Sequence, residues 1–490
     1  MTTINTNIGA ISAQANMNKV NNDFNTAMTR LSSGLRINGA KDDAAGMAIA
    51  EKMTSQVMGI NQAIRNAADG KNLLDTTESA HVEVSNMLQR VRELAVQSAS
   101  DTNTSSDRGN ITAEVRQLLS EINRVAENTT FNGMKVMDGS FTNKQFQIGA
   151  DAGQTLNISI DSTAATQIGA YKQSTLASAS ATGVAAQDIV ITGSAGSAEI
   201  AATAGQSAEE LAAAVNAASS MTGVGATAKT QATLSFTGGA AAAGTVSFTI
   251  NGTSIGTGVA ISTDAGGAID LTSLRDAINS KSASTGVTAT MGDDNTSIVM
   301  TDANGTNITI DDYAHTATTP GITLSIDADG DPATAAVTST LAVGAATTVT
   351  GQVSFTSTES FAISATAAAT GFFGNAAAAS FTSELESVAD IDLSTAESSA
   401  KAIEVIDVAL QKISQSRGDL GALSNRLDST ISNLTNISVS VQTARSQVVD
   451  ADFAKESTNL ARGQILSQAA TAMLAQANSS KQNVLSLLRG

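Results

Sequence analysis

The sequence predicts a mainly α chain with an α+β insert: long coiled-coil-like helices from the N- and C-terminal arms, a β-hairpin region, and an acidic outer domain between them. Three observations predict it. Apolar residues in both arms recur in sustained steps of 3 and 4. Residues 176–398 are instead rich in Ala, Gly, Thr and Ser, with short β-like runs. The net charge of −18 also sits in the middle, since residues 176–400 hold 3 basic residues (Lys229, Arg275, Lys281) against 21 acidic ones, whereas the rest holds 24 of each. Charge-balanced arms suit dense packing, and an acidic middle suits a solvated surface. That balance provides no basic face for nucleic acid.

The elements divide the chain at 1–42, 43–175, 176–398, 399–451 and 452–490. In the first segment, Ala10, Ala13, Met17, Val20, Phe24, Ala27 and Leu31 step 3, 4, 3, 4. In the second, Met53, Val57, Ile60, Ile64 and Ala67 keep that spacing, and Val84, Leu88, Val91 and Ala95 resume it after a phase shift placed near Thr77. A further helix is expected near 107–127, with Asp107 as its N-cap and Val115, Leu118, Leu119, Ile122 and Val125 on its apolar face. Residues 130–160 read as turns and hairpins, their Asn-Gly and Asp-Gly pairs marking tight turns.

The insert contains a repeat. Residues 207–228 and 270–291 align without gaps at an offset of 63, matching Leu211, Asn216, Thr222, Gly223, Val224, Ala226 and Thr227 to Leu274, Asn279, Thr285, Gly286, Val287, Ala289 and Thr290. Each copy reads as a short amphipathic helix, a Gly turn and a strand. After it, fourteen positions from 403 to 448 step 3 and 4 without a break. Ten are apolar, including Ile403, Ile406, Leu410, Ile413, Leu420, Leu427, Ile431 and Leu434. A helix of roughly 50 residues is about 75 Å long at about 1.5 Å per residue, too long for an ordinary globular core. The tail repeats the theme through Leu466, Ala470, Met473, Ala477, Ser480, Val484 and Leu487. Small and polar residues dominate both terminal seams, so each end is a marginal helix alone and is expected to order against copies of itself. Met17, Val20, Phe24 and Leu31 are expected to pair with Leu466, Met473, Val484 and Leu487.

Composition narrows the chemistry. There is no Cys, hence no disulfide and no thiolate metal site. The two histidines do not lie in H-E-x-x-H: His81 is followed by Val82-Glu83-Val84 and His315 by Thr316-Ala317-Thr318. Asp327-Ala328-Asp329-Gly330-Asp331 resembles the opening of a calcium loop, but Pro332 stands at the glycine position and Thr338 at the closing acid, so it reads as an acidic turn. Arg36, Lys41, Asp42 and Asp43 read as an N-cap with helix-dipole charges for a helix starting near Ala44. No catalytic residues and no cofactor are expected. No run of 18 apolar residues spans a membrane, and the first twenty residues lack a Sec-type signal peptide.

Five stretches carry a family resemblance. MTTINTNIGAISAQANMN, LSSGLRINGAKDDAAGMAIAEKM (31–53) and QRVRELAVQSAS (89–100) resemble the N-terminal arm of bacterial flagellins, and SQSRGDLGALSNRLDSTISNL (414–434) and NVLSLLRG (483–490) the C-terminal arm. The repeated TGVxAT unit resembles a module of flagellin and hook-protein inserts. The resemblance implies a non-enzymatic subunit that polymerises with itself into the extracellular flagellar filament for swimming. It implies secretion by the flagellar type III route, with an export chaperone and a filament cap as partners. In the family the helix carrying LQRVRELAVQ packs between subunits, and in many members it is read on the free monomer by a vertebrate innate immune receptor. Gln89, Arg90, Leu94 and Glu114 match that contact pattern. A hook–filament junction protein, which shares these arms, and an adhesive module in the insert are the alternative expectations.

Overall fold

The computed structural model describes residues 6–237, 244–256, 258–263, 269–292, 297–316, 321–326, 337–341, 343–374 and 377–487; for 262–263, 269, 321–326, 337–341 and 481–487 it describes the backbone alone. The expected calcium-like turn at 327–331 therefore lies outside the described residues. The chain divides into two compact units. The first comprises 1–78, 141–160 and 418–490, and the second 79–140 and 161–417.

In the first unit, α1 (Ile8–Ser33) and α9 (Phe453–Leu487) form an antiparallel pair. The Asn7 side chain accepts from the Ala10 N–H at 3.1 Å to open α1, and Gly34, at φ +69°, closes it. Asn7 Nδ2 donates to the Ala477 carbonyl at 3.3 Å at one end of the pair. At the other, Arg30 meets Glu456 at 3.4 Å, and a short antiparallel bridge joins Leu35 to Asp450. The seam on α1 is the expected one: Ala10, Ala13, Met17, Val20, Phe24, Ala27 and Leu31 are half-buried or buried between exposed neighbours.

On α9 the seam keeps Ala470 and Ala477 as expected and differs at Leu466 and Met473. Its covered residues include Glu456, Gly463, Ser467, Ala470, Leu474 and Ala477, whereas Leu466 and Met473 are 46% and 65% exposed. Gly463 sets this phase. A Cβ there would stand 3.3 Å from the Phe24 Cβ, so this turn lies flush against α1. The small Ser467, Ala470 and Ala477 then follow on the same face. Leu466 and Met473 instead border an open groove along α1, with Gly9, Ala13 and Val20 opposite. The side chains of Val484 and Leu487 lie outside the described residues.

Two long helices contribute to both units: α2 (Ala44–Ser98) and α8 (Ala396–Val449). Asp43 accepts from the Gly46 N–H at 2.9 Å and opens α2, and Asp42 binds the Asn38 and Gly39 N–H groups at 3.0 and 3.1 Å. Both acids thus hold backbone. Within the first unit the helices are antiparallel, with Arg445 on Thr54 (3.2 Å), Ser438 on Asn61 (3.2 Å) and Lys71 on Asp428 (2.7 Å). Ile60, Ala63 and Leu434 pack together there. Within the second, His81 Nε2 stands 3.4 Å from Ser416 Oγ, and Arg92 binds Asp407 at 2.5 Å.

The phase shift expected near Thr77 lies at Gly70 instead. Buried positions run Ala67, Gly70, Leu74, Thr77, His81, Val84, Leu88, Val91, Ala95 and Ser98 in strict alternation of 3 and 4. The one irregularity is the step of 3 from Ala67 to Gly70 following another step of 3 from Ile64. Gly70 faces Phe146 and Leu427, at 3.4 and 3.6 Å from where its Cβ would be, so a larger residue would crowd the ring.

On α8, Ile406, Ile413, Leu420, Leu427 and Leu434 are buried at every seventh residue, while Ile403, Leu410 and Ile431 are half-buried. Ala402, Val405 and Ala409 are buried beside them, although outside the expected seam. The second unit covers α8 on a further side: Lys172 bridges Glu386 (2.9 Å) and Glu404 (3.1 Å), and Lys412 meets Glu359 at 3.2 Å.

Helix α3 (Ser105–Asn128) is capped by Thr104, not Asp107. Asp107 is the third helical residue of a capping box, accepting from the Thr104 hydroxyl at 2.7 Å and its N–H at 3.0 Å. Those two bonds hold its carboxyl below the usual range. Its buried face is Ile111, Val115, Leu119, Ile122 and Ala126, with Leu118 and Val125 half-buried. A two-residue hairpin follows at Asn132-Gly133 between Thr130–Phe131 and Met134–Lys135, in the same unit. In the first unit, Lys144–Gln147 pairs with Thr155–Ile158.

The insert holds three antiparallel sheets and explains its own repeat. In the first copy, α4 (Ala208–Ala217) and the single turn α5 (Ser219–Thr222) lead into the strand Gly225–Thr237. In the second, α6 (Thr272–Asn279) and α7 (Ser282–Thr285) lead into Thr288–Met291. Asn216 exchanges two 2.8 Å bonds with the backbone of Ala226, and Asn279 does the same with Ala289 at 2.8 and 2.7 Å. Thr222 and Thr285 each accept from the Val two residues on at 3.2 Å, and Gly223 and Gly286 sit at φ +75° and +77°. Leu211 and Val224 anchor one core with Phe355 and Phe373, while Leu274 and Val287 anchor another with Phe248 and Tyr313.

Candidate assembly surfaces

The arm pair leaves much apolar surface uncovered. Ile8, Ile11 and Met28 on α1 and Phe453, Ile465, Leu466 and Met473 on α9 are exposed large hydrophobic residues outside the seam or on its flank, with Ile465 at 67% and Phe453 at 70%. A soluble chain normally scatters such residues singly, and a concentration of them marks an interaction surface. The 3/4 reading followed the seam and so missed Ile8, Ile11, Met28, Phe453 and Ile465. The signal available was apolar residues at positions that a two-helix seam does not need.

The second surface lies in the other unit. Gln89, Arg90 and Glu114 are exposed. Arg90 on α2 reaches Glu114 on α3 through Nε (3.1 Å) and Nη2 (2.9 Å), and through Nη1 reaches Glu93 at 2.6 Å. Glu93 and Glu114 hold the guanidinium above its usual pKa. Leu94 does not share this surface. It is 2% exposed, because the covered stripe of α2 widens there to take in both Leu94 and Ala95. Leu88 and Val91 are core beneath the patch.

The remaining candidates carry no chemistry. His81 is fully buried, and His315 lies on the strand Ile308–His315 with its ring centroid 5.7 Å from that of Tyr313. Among the described residues no group of three or more His, Asp or Glu could hold a metal ion. No helix among them is long and apolar enough to cross a membrane.

Residues 4–142 match the bacterial flagellin N-terminal helical region, residues 403–488 the bacterial flagellin C-terminal helical region, and residues 188–240 and 247–304 the flagellin hook IN motif. The insert repeat and the IN motif thus coincide. B-type flagellin of Pseudomonas aeruginosa is 38% identical over 503 residues, and flagellin of Salmonella typhimurium 35% over 507, each alignment covering 99% of both chains. The solved structure of FliC from Burkholderia pseudomallei is 18% identical and covers 73% of this chain and 99% of its own, at a TM-score of 0.30. The chain belongs to the bacterial flagellin family, whose members are structural, non-enzymatic subunits of the flagellar filament.

Proposed function

We propose that this chain polymerises through its two arms, with residues 1–42 and 452–490 forming the innermost layer, 43–175 and 399–451 the next, and 176–398 facing outward. One observation carries the reading: among the described residues, the α1–α9 seam leaves Ile8, Ile11, Met28, Phe453 and Ile465 exposed, with Leu466 and Met473 exposed on its flank. Burying each against a neighbouring subunit contributes about 1.5–3 kcal/mol before ordering costs. The same head-to-tail contact repeated without closure gives an open polymer. Ile465→Asp tests this, because the side chain lies off the seam. Expected is an unchanged monomer by circular dichroism and sedimentation, with a critical concentration for polymerisation raised by about tenfold or more, about 1.4 kcal/mol. Normal polymerisation of this variant would reject the outer faces as the contact surface.

The finer reading is export by the flagellar type III route, with a chaperone and a filament cap as partners. The match of both arms to the flagellin helical regions supports it. We further propose that Gln89, Arg90 and Glu114 are read by an innate immune receptor on the free monomer, with Leu94 supporting them from beneath. Arg90→Glu would set three acids together. Its expected result is a fall of about tenfold or more in reporter-cell response to monomer, as for a buried Arg anchor. An unchanged response would remove Arg90 from the contact.

A further inference from the structure

The sequence contains four Asn-Gly pairs, at 38, 132, 251 and 304. Two of them are turns of nearly identical backbone. Asn132-Gly133 has φ of +49° and +78°, and Asn251-Gly252 has +50° and +73°. Each closes a two-residue hairpin whose outermost partners are Phe131 with Met134 and Ile250 with Thr253. What differs is how the asparagine side chain is held.

Asn251 is fixed on both sides. Its Oδ1 accepts from the Thr309 N–H at 2.8 Å and the Thr309 hydroxyl at 2.9 Å, and its Nδ2 donates to the Thr285 carbonyl at 2.9 Å. At the other two pairs it is the following glycine that is engaged. The Gly39 N–H donates to Asp42 Oδ2 at 3.1 Å. The Gly305 N–H donates to the Asp302 carbonyl at 3.4 Å, and a Cβ at Gly305 would fall 2.4 Å from that of Ala228, so its backbone is wedged. Asn132 and Gly133 are both exposed. Among the described residues no hydrogen bond engages the Asn132 side chain or the Gly133 N–H, and nothing lies within 4 Å of where a Gly133 Cβ would stand.

We propose that Asn132 is this protein's site of spontaneous deamidation. The Gly133 amide nitrogen, losing its proton, attacks Asn132 Cγ. An N–C bond forms, the Cγ–Nδ2 bond breaks, and the amide nitrogen leaves as ammonia carrying that proton. Water then opens the five-membered imide at either carbonyl, giving aspartate or isoaspartate. The attack requires the turn to open. The hairpin is short, held by the pairs Thr130 with Lys135 and Phe131 with Met134 and by the Val136 N–H donating to the Thr129 carbonyl at 3.2 Å, so opening costs little. Each event adds one negative charge. The isoaspartate product also inserts a methylene into a backbone turn with no slack for it.

The test is to age the full-length monomer in mildly alkaline buffer, folded and in parallel in concentrated urea, and to follow all four pairs by peptide mapping with fragmentation that separates aspartate from isoaspartate. In urea the four rates should be alike, since each has the same following residue. In the folded chain Asn132 should react at least about ten times faster than Asn251 and faster than Asn38 or Asn304. Asn132→Gln should remove the folded-state signal. If folding slows Asn132 as much as it slows Asn251, or if another pair leads, the assignment is wrong.

Discussion

Deletion of residues 452–490 is expected to abolish filament formation, with no polymer pelleting even when seeded, while the second unit keeps its fold. The deleted helix supplies the whole partner face of α1. Asn7, Phe24 and Arg30 lose Ala477, Gly463 and Glu456 respectively. What remains of α1 is a 26-residue helix with Ala27 as its only fully buried residue in the lone chain, and with a seam of three Ala and one each of Met, Val, Phe and Leu. A helix of that length with so little to bury is marginal in water. Hydrogen exchange should therefore show residues 8–33 unprotected in the shortened monomer, while α3 and the insert cores keep their protection. Polymer formation by the shortened chain would overturn the proposal that the paired arms form the innermost layer.

How far the sequence reveals this architecture depends on whether packing there is apolar. The α1 seam was legible residue by residue, because Met17, Val20, Phe24 and Leu31 mark it. The α9 seam was legible at Ala470 and Ala477 but off by one position at Leu466 and Met473, because Gly463 and Ser467, which a hydrophobic pattern passes over, set the face against α1 and bring Leu474 rather than Met473 onto it. The α2 stripe shows the same effect. Gly70, Thr77 and His81 fill buried positions, so the pattern seemed broken at Thr77 although the irregular step is at Gly70. Thr77 stays in register by donating its hydroxyl to the Leu73 carbonyl at 2.9 Å. In the candidate patch, Arg90 and Glu114 lie 24 residues apart on two helices, and their contact depends on the turn between α2 and α3. That turn is built by Asn103, whose Nδ2 reaches the Gln97 carbonyl at 2.6 Å, and by the Thr104 cap. Periodicity contains no information of that kind.

Where identity rather than hydrophobicity recurs, sequence was a better guide, and the insert repeat yields the second large expected effect. Residues recur as identities at an offset of 63, and most of those named have a structural task. Leu211 and Val224, with Leu274 and Val287, are core; Gly223 and Gly286 take the left-handed turn; Asn216 and Asn279 lock the helix to the strand that follows. The asparagines are the least replaceable of these. Each satisfies both the N–H and the carbonyl of a buried alanine, Ala226 or Ala289, so truncation leaves two buried backbone groups unpaired. At about 1–3 kcal/mol for each orphaned group, Asn216→Ala or Asn279→Ala should destabilise its own copy by about 2–4 kcal/mol. The two copies belong to separate cores, so the double variant should lose close to the sum. Urea melting of the full chain, with hydrogen exchange read at Ala208–Ala217 and at Thr272–Asn279, separates the copies. Polymerisation should survive all three variants, because the surfaces proposed for assembly lie in α1 and α9. Losses below about 0.5 kcal/mol would mean that water or the neighbouring backbone takes over the asparagine's bonds. Loss of polymerisation in step with the melting would mean that the insert contributes to subunit packing.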